Sequence, residues 1–143
     1  MDFILENIAI GTYEDAIDLR NLRANDITAV LDLTKETSYS LPSSILRLKV
    51  PMEDGVPIKE DNLRLAINWL RNCARERKVL VHCVAGISRS PTIVMCYLHE
   101  ERGMPFDDAY GFIKAKRSQA QPHPVLIESI QTYYEQKTAR NHP

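Results

Sequence analysis

The chain has 143 residues, 44% of them hydrophobic and 26% charged, which is enough for one continuous buried core and too few for two sizeable ones. Eighteen basic side chains against nineteen acidic ones leave a formal net charge of −1, which excludes a strong basic field for nucleic acid and makes any anion site a local one. No eighteen apolar residues run together, and Met1 to Glu6 lacks the basic and apolar regions of a secretory leader, so a single cytoplasmic, monomeric domain over 1–143 is expected, without membrane or nucleic-acid partners.

Strand and helix alternate along the chain. Ile8-Ala9-Ile10 reads as a strand ending at Gly11, and Tyr13 to Asn25 carries Ala16, Ile17, Leu19 and Leu22 at helical spacing. Ile27 to Leu33 reads as a second strand. Ile45 to Val50 alternates Ile45, Arg47 and Lys49 with Leu46, Leu48 and Val50, the two-residue period of a strand, and Pro51 is expected to close it. From Pro57, the residues Ile58, Leu63, Ala66, Ile67, Leu70, Cys73 and Ala74 mark one helical stripe, ending in Arg75, Arg77 and Lys78, which suit a helix C-terminus. Val79-Leu80-Val81 is short, apolar and largely β-branched, as in a central strand covered on both faces. Helices follow over Thr92 to Arg102, stopped near Gly103 and Pro105, then Phe106 to Arg117, and Val125 to Lys137 with Leu126, Ile130 and Tyr133 or Tyr134 as its core stripe. The interleaving predicts an α/β fold with a central, mostly parallel sheet flanked by helices.

Three cysteines without close pairing make a poor disulfide framework and suit a reducing compartment. Cys73 and Cys96 fall on apolar helix faces, as inert buried thiols do. Cys96 and His99 share a helix, but no second ligand pair accompanies them, and no metal or cofactor is expected.

The third cysteine lies in Val79 to Pro91, a strand, a tight loop and a helix in succession, and open α/β sheets take ligands at the C-terminal ends of their strands. The five residues between Cys83 and Arg89, namely Val84, Ala85, Gly86, Ile87 and Ser88, can curl their backbone N–H groups toward one point. Such a nest opening onto a helix N-terminus holds anions. Gly86 allows a positive φ or a close approach there, and Pro91 falls in the first helical turn, where its missing N–H costs nothing. Thiols at helix N-termini beside arginine ionise readily, and the thiolate is the nucleophile. Arg89 offers a planar fork for two phosphate oxygens at once. Ser90 brings a hydroxyl near the sulfur, where it can stabilise a departing thiolate. His82 reads as a residue that orients the loop by hydrogen bonds, with service as an acid the rival role.

The run His82-Cys83-x-x-Gly86-x-x-Arg89-Ser90 resembles the signature of the protein tyrosine phosphatase superfamily, and Val84-Ala85-Gly86-Ile87-Ser88-Arg89-Ser90 is most similar to its dual-specificity branch. The resemblance extends to Gly11 to Ala16, Ile27 to Thr34, and Tyr97-Leu98 with Met104 to Tyr110. It implies a phosphatase-like fold and the hydrolysis of phosphate monoesters through a phosphocysteine on Cys83, on phosphorylated protein substrates bearing phosphotyrosine and phosphoserine or phosphothreonine. The leaving oxygen needs a proton. The resemblance implies an aspartate acid after the strand that precedes the long helix, which is Asp54, with Glu53 the rival one residue away, and Gly55 suits a mobile loop. Where that branch commonly has Arg-Pro and then Pro-Asn, this chain has Arg117-Ser118 and Pro122-His123. Either His123 takes the asparagine's part or the last helix begins differently. The same chemistry on a phosphoinositide or nucleic-acid 5′ phosphate, and a phosphate-binding module without turnover, are the alternatives. Inositol-phosphate loops carry lysines where this chain has uncharged Val84, Ala85, Ile87 and Ser88.

Overall fold

Leu80, at the middle of strand β5 (Lys78–His82), is wholly buried on one side of a sheet whose other side buries Val79 and Val81. That alternation sorts the core in two, as a strand of period two must when both faces are covered. Leu80 packs with Ala9, Ala16, Leu22, Val30 and Ile45. Val79 and Val81 join a larger cluster with Leu31, Leu63, Ile67, Ile93 and Ile130. The structure is a computed structural model and describes residues 1–141.

The sheet runs in the order β1-β2-β5-β3-β4, with β1 (Asp2–Leu5), β2 (Ile8–Gly11), β3 (Ile27–Thr34) and β4 (Leu46–Met52). β1 pairs antiparallel with β2, and every other pairing is parallel, so the expected α/β architecture with a mostly parallel sheet is observed. Helices α1 (Tyr13–Ile17) and α2 (Leu19–Ala24) cover one face. Helices α3 (Glu60–Ala74), α4 (Arg89–Arg102), α5 (Phe106–Lys116) and α6 (Pro124–Asn141) cover the other. The stripe of α3 buries Leu63, Ala66, Ile67, Leu70 and Ala74, the one-sided spacing of an amphipathic helix.

Several elements differ from the sequence-based expectation. Tyr13 to Asn25 is two helices, because Asp18 leaves helical geometry (φ −92°, ψ 92°) and its carboxylate accepts from Asn21 N at 3.2 Å, capping α2. Thr12 and Asp15 form a reciprocal capping box for α1. β4 continues through Pro51 to Met52; Pro51 is exposed on an edge strand, where the missing donor breaks no ladder bond, and Met52 pairs with Thr34. Leu46 is left 42% exposed. β1 has no counterpart in the strand expectation, being a four-residue edge without marked alternation. The helix from Pro57 begins only at Glu60. Of the basic run, Arg75 caps α3, Arg77 donates to the Thr28 carbonyl at 3.3 Å, and Lys78 opens β5. Helix α4 starts at Arg89 rather than Thr92, and α6 runs from Pro124 to Asn141 with Leu126, Ile130 and Tyr133 buried.

All three cysteines are free. Cys96 is fully buried, and burial pushes its thiol well up. Cys73 is only half-buried, at the edge of the core rather than within it, and burial still raises its thiol despite the nearby Arg77. No helix among the described residues is long and apolar enough to cross a membrane.

Candidate active site

β5 ends on His82, buried in the sheet, and delivers Cys83 to its C-terminal edge with 2% exposure. His82 Nδ1 lies 3.0 Å from the Cys83 carbonyl oxygen, which can only accept, so this nitrogen carries the hydrogen. Its Nε2 therefore accepts from the Tyr39 hydroxyl at 2.5 Å, with Asp32 Oδ1 3.6 Å away. Burial lowers the basicity of His82 below the ordinary imidazole value in spite of Asp32, consistent with a neutral ring. Both ring nitrogens are engaged within the protein.

The loop after Cys83 has each of its carbonyls held from outside. Val84 O accepts from Tyr13 N at 2.9 Å, and Ile87 O from Gln121 N at 2.7 Å. Arg117 donates through Nε to Gly86 O at 2.8 Å and through Nη2 to Ala85 O at 3.2 Å, while its Nη1 pairs with Asp2 at 2.7 Å. In a planar trans peptide the C=O and the next N–H point opposite ways. Fixing these four carbonyls outward therefore turns the amides of Ala85, Gly86, Ile87 and Ser88 toward the hollow. Gly86 has φ 66°, and a methyl group there would lie 2.6 Å from both Arg117 Nη2 and the Gly11 carbonyl oxygen, so position 86 needs glycine for both reasons.

The hollow is a cavity of about 460 Å³ whose lining brings together Asp54, Cys83, Val84, Ile87, Arg89 and His123. Cys83 Sγ lies 3.3 Å from Ser90 Oγ. Arg89, 4% exposed, donates through Nη1 to the Met52 carbonyl at 2.8 Å and forms a two-pronged pair with Glu36, at 2.7 and 3.2 Å. Burial opposes the charge on Arg89, but Glu36, Cys83 and Asp54 outweigh it and keep the guanidinium firmly cationic. The Arg89 hydrogen bond in turn holds the Glu36 carboxyl below its usual range.

The two candidate acids part company in space. Asp54 Oδ1 accepts from Ser88 Oγ at 2.5 Å and faces the cavity. Glu53 pairs instead with Lys35 at 2.7 Å, both side chains largely exposed, away from the lining that holds Cys83. His123 N donates to Ser88 Oγ at 2.8 Å, so one hydroxyl ties the loop after Cys83, the Asp54 loop and the start of α6.

Glu36, Tyr39 and the Met52 carbonyl were not legible as site groups, since they lie far from Cys83 in the chain and carry no motif. Arg117 had a signal, the Arg117-Ser118 pair noted as a departure, but not its place under the loop.

The catalytic-domain profile of the dual specificity phosphatases matches residues 8–136. The chain belongs to that family. Human dual specificity protein phosphatase 15 is 35% identical over 133 residues, covering 91% of this chain and 44% of its own length. The tyrosine-protein phosphatase vhp-1 of Caenorhabditis elegans is 34% identical over 128 residues, 84% of this chain and 19% of its own. The chain thus spans less than half the length of these two curated relatives. The crystal structure of DUSP15 aligns with a TM-score of 0.83 at 33% identity, over 92% of this chain and 85% of that one. Human DUSP28, at 21% identity, aligns with a TM-score of 0.88 over 98% and 99%, a likeness of fold.

Proposed function

We propose that the chain is a cysteine-dependent protein phosphatase that removes phosphate from phosphotyrosine and from phosphoserine or phosphothreonine. The observation that carries this reading is the buried Cys83 sulfur, 3.3 Å from Ser90 Oγ, at the wall of a cavity shared with Arg89 and Asp54. In the first step the Cys83 thiolate attacks phosphorus, the S–P bond forms and the P–O ester bond breaks. Asp54 gives its proton to the departing oxygen, since an unprotonated alkoxide leaves poorly. In the second step water attacks the phosphocysteine, Asp54 takes a proton back, and inorganic phosphate leaves. Ser90 donates to the released thiolate. The inward amides from Ala85 to Ser88 and the Arg89 fork grip the equatorial oxygens, where charge is held through the transition state. His82 sets the orientation of the Cys83 carbonyl, and the side chains of Val84 and Ile87 border the mouth.

A protein substrate is favoured over a polyphosphorylated headgroup because Arg89 is the one lysine or arginine in the described lining, while Val84 and Ile87 stand 36% and 38% exposed beside it. The free cysteines suit a reducing, cytoplasmic setting, and the reading takes the chain as one monomeric catalytic domain without nucleic-acid partners. The test is a turnover panel of phosphotyrosyl, phosphothreonyl and phosphoinositide substrates. Release of phosphate from both peptides, abolished in Cys83→Ser with binding retained and unaffected by chelators, is expected. Release from the phosphoinositide alone overturns the protein-substrate reading, and turnover that survives Cys83→Ser overturns the chemistry.

A further inference from the structure

His123 immediately precedes α6, and its carbonyl accepts from Leu126 N at 2.9 Å and Ile127 N at 3.2 Å. Its ring closes the same turn, since Nδ1 accepts from Val125 N at 3.1 Å. An accepting ring nitrogen bears no hydrogen, so the proton of the neutral ring is on Nε2. Imidazole therefore supplies the helix cap that an asparagine side chain gives at such positions.

The rest of the ring lies toward the acid loop. Its Nε2 edge faces the side of Gly55, the residue after Asp54, on which a side chain would stand: a methyl group at Gly55 would lie 3.2 Å from Nε2, 3.5 Å from Cδ2 and 3.6 Å from Cε1. Gly55 is also in the left-handed region, φ 77°, so the loop turns sharply just where the ring meets it. From the other side, the backbone N–H of His123 reaches Asp54 through Ser88 Oγ, at 2.8 and then 2.5 Å. One residue thus approaches the acid loop twice, through its main chain by the Ser88 hydroxyl relay and through its ring beside Gly55. An asparagine would cap α6 equally well but is too short to extend the ring's contact to Gly55.

We propose that His123 is a positioning residue for the proton donor, its imidazole edge bracing the Gly55 turn so that Asp54 stays over the cavity that holds Cys83. The proposal rests on Asp54 as the acid. Its two roles reside in different parts of one side chain, and substitutions separate them. His123→Asn keeps a cap acceptor and loses the brace. His123→Phe keeps a ring against Gly55 and loses the acceptor.

The experiment compares the two variants with the parent chain and Asp54→Asn, measuring melting temperature and kcat/KM on para-nitrophenyl phosphate and on a phosphothreonyl peptide. The first leaving group departs with little help from an acid and the second needs a proton. His123→Asn is expected to melt with the parent, to lose less than about twofold on para-nitrophenyl phosphate, and to lose about 5- to 20-fold on the phosphothreonyl peptide, part of the 10²–10⁴-fold worth of a general acid. His123→Phe is expected to keep the parent's ratio between the substrates and to melt a few degrees lower. If Asp54→Asn shifts the substrate ratio while His123→Asn leaves it unchanged, the brace is wrong and the acid stands. If His123→Phe shifts the ratio as far as His123→Asn, the cap and not the ring sets the loop, and the proposal is overturned. If the parent does not turn over, or Asp54→Asn leaves the ratio untouched, the reading of the acid fails and the brace with it.

Discussion

At the scale of single residues, Asp54 and Glu53 show how much one step along a loop decides. Adjacent carboxylates have the same chemistry, yet Asp54 is drawn to Ser88 in the loop after Cys83 and Glu53 to the exposed Lys35. Asp54→Asn should therefore remove the alkaline limb of the kcat/KM profile, where an acid that must be protonated loses its proton, and should cost more on phosphothreonyl than on para-nitrophenyl substrates. Glu53→Gln should leave both the profile and the ratio as they are. The reverse pattern would move the acid to Glu53. His82, Cys83, Gly86, Arg89 and Ser90 were legible because the backbone links them within nine residues, so their proximity is nearly covalent. Glu36 was not, since it stands 53 residues from Arg89 in the chain and meets it only in the folded protein, and a lone glutamate in Thr34-Lys35-Glu36 carries no sign of that.

At the scale of elements, the helix ends carry the function and the helix middles carry the stability. Arg117 follows the last residue of α5, 4% exposed, where it holds the carbonyls of Ala85 and Gly86. Lysine cannot reproduce that fork. Arg117→Lys should cost about 2 kcal/mol in a urea melt through imperfectly paired loop carbonyls, and should lower kcat/KM by the same factor on aryl and alkyl substrates, unlike Asp54→Asn. A change in the substrate ratio would instead link Arg117 to the acid. Gly111, inside α5, is a contrasting case. It is exposed and has open space where a Cβ would stand, with no positive φ to protect. Gly111→Ala should stabilise the chain by about 0.5–1 kcal/mol with activity unchanged; a loss of stability would mean that the position is constrained by something other than helix propensity. The break at Asp18 was present in the sequence as two capping residues, Thr12 and Asp18, but the apolar spacing over Tyr13 to Asn25 read through it.

At the scale of the whole molecule, the sheet edge gathers charged and titratable groups from four segments behind the loop after Cys83. Asp32 of β3, 0% exposed, faces His82 of β5, Arg47 and Lys49 of β4, and the loop that carries Tyr39. Burial pushes the Asp32 carboxyl up, but hydrogen bonds from the Thr34 hydroxyl and N–H, with the charge of Lys49, outweigh it and leave it below 3.8. His82 is likewise lowered, from 6.5, chiefly by burial. In both cases the unfolded chain takes up a proton at a higher pH than the folded one, so stability falls as pH drops. The His82 contribution is complete above 6.5 and fades below it, and that of Asp32 fades below 3.8. The unfolding free energy from urea melts should therefore drop between pH 7.5 and 5.5, by up to about 1.4 kcal/mol for one proton over one pH unit, and the urea midpoint with it. His82→Gln should flatten that slope, and equal midpoints in the parent chain at the two pH values would show that the imidazole is not held neutral.

The sequence by itself determined the α/β layering, through strands of apolar period two alternating with one-sided helices, and the strand-loop-helix on which Cys83, Gly86 and Arg89 lie. Those features rest on local backbone geometry and short spacing, which no partner is needed to define. Tertiary structure alone decided that Glu36 and the Met52 carbonyl hold Arg89, that Arg117 turns the loop's carbonyls outward, and that the His123 ring lies beside Gly55. Each of these joins segments far apart in the chain, and only the packing of helices on the sheet brings their polar groups within hydrogen-bonding or van der Waals reach.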